Sequence, residues 1–247
     1  MMTRTHILAG AAALAAGLAV AQPASAAVFE FSELADPNGA SGGSNEATWG
    51  GFTGPLGGYA GSFDTTNDIW TVDGIGVKAS ATNDATAGTA YYGESEAYLD
   101  GYSGGLAGLG VCSTVNSSFQ CGTGSDDNTG RAGDTNSGVL ETLILAFSTS
   151  VSLDNLIFRD RDHNVYGAGA LTIDLNGTSY THGVTDLSGF VGQTFAFARI
   201  ADGEDFYLDT ATVSAVPLPA AAWFLLTALG GLVGTRWLKK GEASAAA

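Results

Sequence analysis

The chain has 247 residues, and its 9 Lys and Arg against 25 Asp and Glu leave a formal net charge of -16 at neutral pH. A surface this acidic repels nucleic acid and anionic lipid, so neither is an expected partner of the folded body, whereas cations are drawn to it. Only 14% of residues are charged and 36 are Gly, which fits strands joined by polar loops.

The N-terminus reads as a secretory signal peptide over residues 1–26. Arg4 supplies the positive start, Ile7 to Val20 is an uncharged apolar run, and Ala24-Ser25-Ala26 is a small-residue cleavage site, with Ala27 the expected new first residue. The segment 27–215 that follows has the length of one all-β domain.

Along that segment, Val28 to Phe31 reads as a first strand. Ser32 to Phe63 is rich in Gly, Ser and Asn, with Trp49, Phe52 and Tyr59 set into it, and reads as loop with short strands. Ile69 to Val72 and Ile75 to Ala81 are predicted strands with a break at Asp73-Gly74, either a bulge or a turn. Ala90 to Leu99 reads as another. Val139 to Phe147 alternates, with Leu143, Leu145 and Phe147 on one face. Val151 to Arg159 follows with a slip at Asp154-Asn155. Leu171, Ile173 and Leu175 alternate, and Asn176-Gly177 predicts a type I′ hairpin into Thr178 to His182. Phe195 to Ile200 and Phe206 to Val213 complete the set. No window has a sustained helical period. The expected fold is all-β, an antiparallel β-sandwich with jelly-roll-like topology.

The C-terminus carries Val216-Pro217-Leu218-Pro219-Ala220, an uncharged run to Thr235, and then Arg236, Lys239 and Lys240. The run reaches the roughly 17–20 residues of a membrane helix, and basic residues stay on the cytoplasmic side as a stop. Pro217 and Pro219 break the chain just outside the membrane. Residues 216–240 thus form the anchor and 241–247 a short cytoplasmic tail. This order of motif, apolar helix and basic cluster resembles the VPLPA-CTERM sorting signal, a variant of the PEP-CTERM signals. The resemblance implies an exosortase-type processing enzyme as partner and cleavage near Pro217–Ala220. The protein would be held in the membrane transiently, then released to the cell surface or the extracellular space. A looser likeness supports the sandwich: Gly108 to Cys112, a polar loop, Val139 to Leu143 and Val151 to Phe158 follow an order similar to the β-rich ectodomains attached to such signals.

Cys112 and Cys121 are the only cysteines, and both lie in the exported region, where a disulfide is allowed. A loop so short contributes a little under ~3 kcal/mol. Asp160, Asp162 and Asn164 stand in a D-x-D-x-N order after a predicted strand and are candidate calcium ligands, because alternate loop residues can converge hard oxygens on one ion. The EF-hand pattern fails, since Val165 stands at the glycine position and Leu171 at the bidentate Glu. The alternative is a solvated polar loop in which Arg159 and Arg161 pair with the aspartates. Ser125 to Asn128 and Asp202 to Asp205 are further acidic loops, of the composition turns require.

Catalysis has no motif behind it: no G-x-S-x-G, no H-E-x-x-H, and only His163 and His182 in the body. The expectation is a non-catalytic surface or extracellular-matrix module that binds or organises exopolysaccharide. The alternative is a secreted glycan-active hydrolase using paired carboxylates.

Overall fold

The computed structural model describes residues 26–35, 46–52, 61–85, 95–102, 105–117, 121–122, 127–130, 139–200 and 204–217. The expected signal peptide (apart from Ala26), Leu218 to Ala220, the apolar run and its basic end at Arg236, Lys239 and Lys240 lie outside them. Among the described residues no helix is long and apolar enough to cross a membrane.

The described residues are mostly β, joined in one large antiparallel sheet of twelve strands. Strand β1 (Ala26–Glu30) buries Ala27 and Phe29 and exposes the residues between them. Phe31 does not extend it, as its sequence suggests, but opens a single-turn helix, α1 (Phe31–Ala35), with four of five residues buried. One turn is too short to leave a helical period. The Gly-rich region yields β2 (Ala47–Thr48), a 3-10 turn at Trp49–Gly51 and β3 (Ser62–Asp64). Strands β4 (Ile69–Val72) and β5 (Ile75–Asn83) form a hairpin. Its turn residues Asp73 and Gly74 both have positive φ, 48° and 81°, as a type I′ turn requires. Strands β6 (Glu96–Tyr102) and β7 (Gly105–Cys112) form another hairpin, which α1 covers.

The two strands expected before and after Ser148 are one, β8 (Glu141–Arg159), 19 residues long. It then leads to β9 (Thr172–Leu175), β10 (Thr178–Thr181), β11 (Val191–Arg199) and β12 (Tyr207–Ala215). The predicted hairpin at Asn176-Gly177 is present, with φ 54° and 78°. Strand β8 exchanges one neighbour along its length. Strand β5 pairs with Glu141 to Phe147, and β12 pairs with Val151 to Arg159, while β11 pairs from the other edge. Strand β12 also receives β1, so the first and last strands lie side by side: Ala26 is opposite Ser214.

The core gathers the alternating apolar faces of these strands. Phe29 of β1 meets Trp70 of β4 edge-on at 5.2 Å and Phe147 of β8 at 5.8 Å. Phe158 packs against Phe206 and Phe197 at 5.5 and 6.4 Å. Each such side chain taken from water contributes roughly 1.5–3 kcal/mol. Cys112 and Cys121 form a disulfide with Cα atoms 5.7 Å apart, and the Tyr98 hydroxyl bonds the Cys121 backbone, tying that loop to β6.

Candidate functional site

The loop that leaves β8 contains the three residues predicted to hold calcium, and its hydrogen bonds run inward. Asp160 Oδ1 accepts the backbone N–H of Asp162 at 2.9 Å and of Asn164 at 2.8 Å. The Asp160 N–H donates to the Asn164 carbonyl at 2.9 Å, and Asn164 Nδ2 faces both Asp160 oxygens. His163 takes the left-handed conformation, φ 67°, that lets the chain reverse and Tyr166 bond back to Phe158 at 2.9 Å. Asp160 and Asn164 are thus together, and Asp162 joins them through its backbone. This is an Asx-type turn, closed by carboxylate and amide groups. The arginines do not take the role of partners to Asp160 and Asp162: Arg159 pairs with Asp209 and reaches the loop only at the His163 carbonyl, and Arg161 is exposed.

The same loop forms one wall of a cleft of about 370 Å³. Asp160, Arg161, Asp162 and Tyr166 face Glu204 and Asp205. Two acidic stretches far apart in sequence therefore meet, because β12 pairs antiparallel with the end of β8, Tyr207 opposite Arg159. Arg199 Nη1 lies 2.6 Å from Asp205 Oδ1 and neutralises part of that charge. Tyr166 donates to the Asp205 carbonyl at 2.9 Å. Burial first, then Glu204, Asp160 and Asp205, pushes the Tyr166 hydroxyl up to about 12. The cleft therefore presents carboxylates and a protonated phenol, groups that attract a cation or hydrogen-bond a polyol. Among the described residues no three His, Cys, Asp or Glu side chains are grouped as metal ligands. The calcium set would be two carboxylates and one amide, with the Asp160 oxygen that closes the turn already holding two N–H donors.

Behind the loop is a buried network whose members sequence reasoning did not single out as a group. His163 Nε2 lies 3.1 Å from Asp100 Oδ2, and its ring stands edge-on to Tyr207 at 5.4 Å. Asp100 sits on β6 where the register with β7 slips before Gly101, and it is 4% exposed. Tyr207 donates its hydroxyl hydrogen to Asp127 Oδ1 and also contacts Asp100. A phenol has one hydrogen, so Asp127 and Asp100 compete for it. Burial, then the charges of Asp127 and Glu46, pushes the Asp100 carboxyl up to about 8, and the Tyr207 contact opposes that shift. Burial and the same two aspartates raise Tyr207 far above the ordinary phenol value.

Arg159 joins this network to the loop. Its Nε bonds Asp209 Oδ2 and its Nη1 the His163 carbonyl, both at 2.9 Å. Asp209 Oδ1 accepts the Ser32 hydroxyl of α1. The acidic loop is thus held from behind by β6, β8, β12 and α1. The one sequence signal for Asp100 was a charged residue beside the apolar Leu99.

At the other end of the body, the Val216 N–H bonds the Ser150 carbonyl at 2.9 Å, and Pro217, which has no N–H, is exposed. Searches of protein-family models, of curated proteins and of solved structures return no match to this chain.

Proposed function

We propose that this protein is an exported surface or extracellular-matrix module, non-catalytic, that binds or organises exopolysaccharide after C-terminal sorting. The observation that supports it most is where the sheet stops. Val216, the first residue of the Val-Pro-Leu-Pro-Ala motif, is the last of the described residues whose backbone is bonded to the sheet, and Pro217 is exposed. At the other end β1 begins at Ala26, the last residue of the signal peptide. In sequence, the two signals directly adjoin the described sheet. Signal peptidase acting after Ala26 would remove one residue of β1, opposite Ser214.

The sheet is best understood as a jelly-roll-like sandwich that opens along β8. Past Phe147 the strand loses β5 and gains β12, so those two neighbours diverge from one edge. The rings of Phe29, Trp70 and Phe147 would then lie between layers.

Mass spectrometry of the secreted protein tests the sorting: the expected chain begins at Ala27 and ends between Pro217 and Ala220. Peptides from Trp223 to Lys240 on the surface form would make the tail a plain anchor. Retention on the producing cell's own polysaccharide without release of reducing sugar is the expected binding result.

One observation favours a second reading, a glycan-active hydrolase: Asp100, a buried acid whose carboxyl is pushed well above the usual carboxylate range by burial, shares Tyr207 with Asp127. Reducing-sugar release that disappears in both Asp100→Asn and Asp127→Asn would establish that reading instead.

A further inference from the structure

A second cleft, of about 520 Å³, lies between the middle of β8 and residues 182–188. Its β8 wall exists because the strand bulges. Thr212 is opposite Asn155 and Val213 is opposite Leu153, which leaves Asp154 without a backbone partner on β12, although its Oδ2 accepts the Ser214 hydroxyl of that strand. In a regular strand neighbours face opposite sides. Here Leu153 and Leu156 are buried while Asp154 and Asn155 are both exposed, so the bulge delivers two consecutive polar side chains to one surface.

The facing wall is equally fixed. Gly183 has φ 67°, and a Cβ there would come within 2.7 Å of the Ala168 Cβ. Thr185 Oγ1 accepts the Thr181 N–H at 2.9 Å, and Asp186 holds the Ser188 N–H and hydroxyl at 2.9 and 2.7 Å. The Leu153 N–H donates to the Phe190 carbonyl at 3.0 Å, which pins the end of this segment to the bulge. The walls offer carboxylate, amide and hydroxyl groups above buried Leu156 and Leu187, with Val184 at 69% exposure.

The charge of the cleft selects its ligand. Asp154 and Asp186 line it, and none of the described lining residues is Lys or Arg. Burial pushes the His182 imidazole down, which keeps that residue neutral at pH 7. A carboxylate, sulfate or phosphate finds no counter-charge among the lining residues, whereas hydroxyl and amine groups find the remaining lone pairs of two carboxylates that Ser188 and Ser214 hold in place. The volume lies within the roughly 300–1,000 Å³ of organic ligand sites and is far larger than one ion needs.

We infer that the cleft between the β8 bulge and residues 182–188 binds a short glycan segment that is neutral or amine-bearing, and rejects polyuronates. The inference rests on the reading of the body as a polysaccharide-binding module and names its site and sugar class. The probes are tetramers of β-1,4-linked glucose, glucosamine and galacturonic acid, titrated into the secreted protein by calorimetry and NMR. The expected result is binding of the glucose or glucosamine tetramer, none of the galacturonate, and shifts confined to residues 152–156 and 182–188. Asn155→Ala and the space-filling Asn155→Trp, both at an exposed position, are expected to weaken binding at least tenfold with unchanged melting temperature. Equal binding by wild type and both variants, on tetramers and on the native polysaccharide, overturns the site and leaves the module reading standing. Absence of any retention on the native polysaccharide overturns the module reading. Binding of the galacturonate tetramer as tight as the others overturns the sugar class.

Discussion

Replacing Asp100 by Asn is expected to stabilise the protein, and to do so only above acid pH. Asn has the shape of the protonated acid, so it can still accept from His163 and donate toward the Tyr207 oxygen. The folded-state carboxyl is raised from 3.8 to about 8, chiefly by burial. Between those values the folded chain holds a proton that the unfolded chain has released. Raising the pH through that window therefore favours unfolding. The contribution of this group is greatest below pH 3.8, falls as the pH rises, and levels off above about 8. At about 1.4 kcal/mol per pH unit the full displacement corresponds to roughly 6 kcal/mol. That displacement belongs to Asp100, Asp127 and Tyr207 together, and about half of it, roughly 2–3 kcal/mol, is the expected share that Asp100→Asn removes. The quantity to measure is the stability of Asp100→Asn minus wild type at pH 8, less the same difference at pH 4.5, from urea or thermal melts. A value of about 2–3 kcal/mol, or about 5–10 °C in a domain of this size, is expected. Stability curves that run parallel from pH 4.5 to 8 would refute the assignment of a buried acid to this position.

Reducing the Cys112–Cys121 disulfide should lower stability by about 2.5 kcal/mol without unfolding the body, as read by melts with and without reductant. Free thiols in native exported protein would contradict the bond. Arg159→Met should cost about 3 kcal/mol, because it leaves Asp209 buried and unpaired. Asp209→Asn in the same chain should recover part of that loss, and a purely additive double variant would deny the pairing. Melting temperatures in millimolar calcium and in chelator are expected to agree, because the turn at Asp160 closes on its own N–H groups. Asp160→Ala should cost about 1 kcal/mol in both media. A calcium-dependent rise that Asp162→Ala removes would instead assign the ion to this loop.

What the sequence made legible followed from local chemistry. The turn at Asn176-Gly177 could be anticipated because positive φ at both central positions selects those residues, and Asp73-Gly74, readable as a bulge or a turn, is a turn of the same kind. The alternation of Leu143, Leu145 and Phe147 marked their buried face correctly. The break expected at Ser148 to Ser150 survives inside one continuous strand as a stretch without ladder partners: β5 pairs up to Phe147, β12 from Val151, and the β11 register jumps from Ala146 to Val151. Strand β7 gave no clear strand pattern, since Gly108 and Gly110 stand where side chains would betray it. The structure supplies the reason: a Cβ at Gly110 would meet the Asp127 carbonyl oxygen at 2.0 Å, and one at Gly108 the Leu208 carbonyl oxygen at 2.5 Å. The polar loop at Asp160 was readable as a loop, and its closure by Asp160 itself follows from Asx chemistry. Its meeting with Glu204 and Asp205, and its anchoring on Asp100, depend on strand pairings distant in sequence, which no local pattern encodes.

The pairing of β1 with β12 has a consequence for the timing of folding. In a chain threaded N-terminus first through a translocon, the first strand to emerge has its partner at the far end of the body. Antiparallel closure of Ala26–Glu30 on Thr210–Ser214 waits for nearly the whole body to cross, so this contact of greatest sequence separation forms last. Until then β1 has an unpaired apolar edge with Phe29 uncovered, a surface of the kind that holdase chaperones bind. Release from that state coincides with the arrival of Val216 and Pro217. On the proposed export route the completed sheet would act as a clock: a processing enzyme that waits for the motif would meet a body able to close.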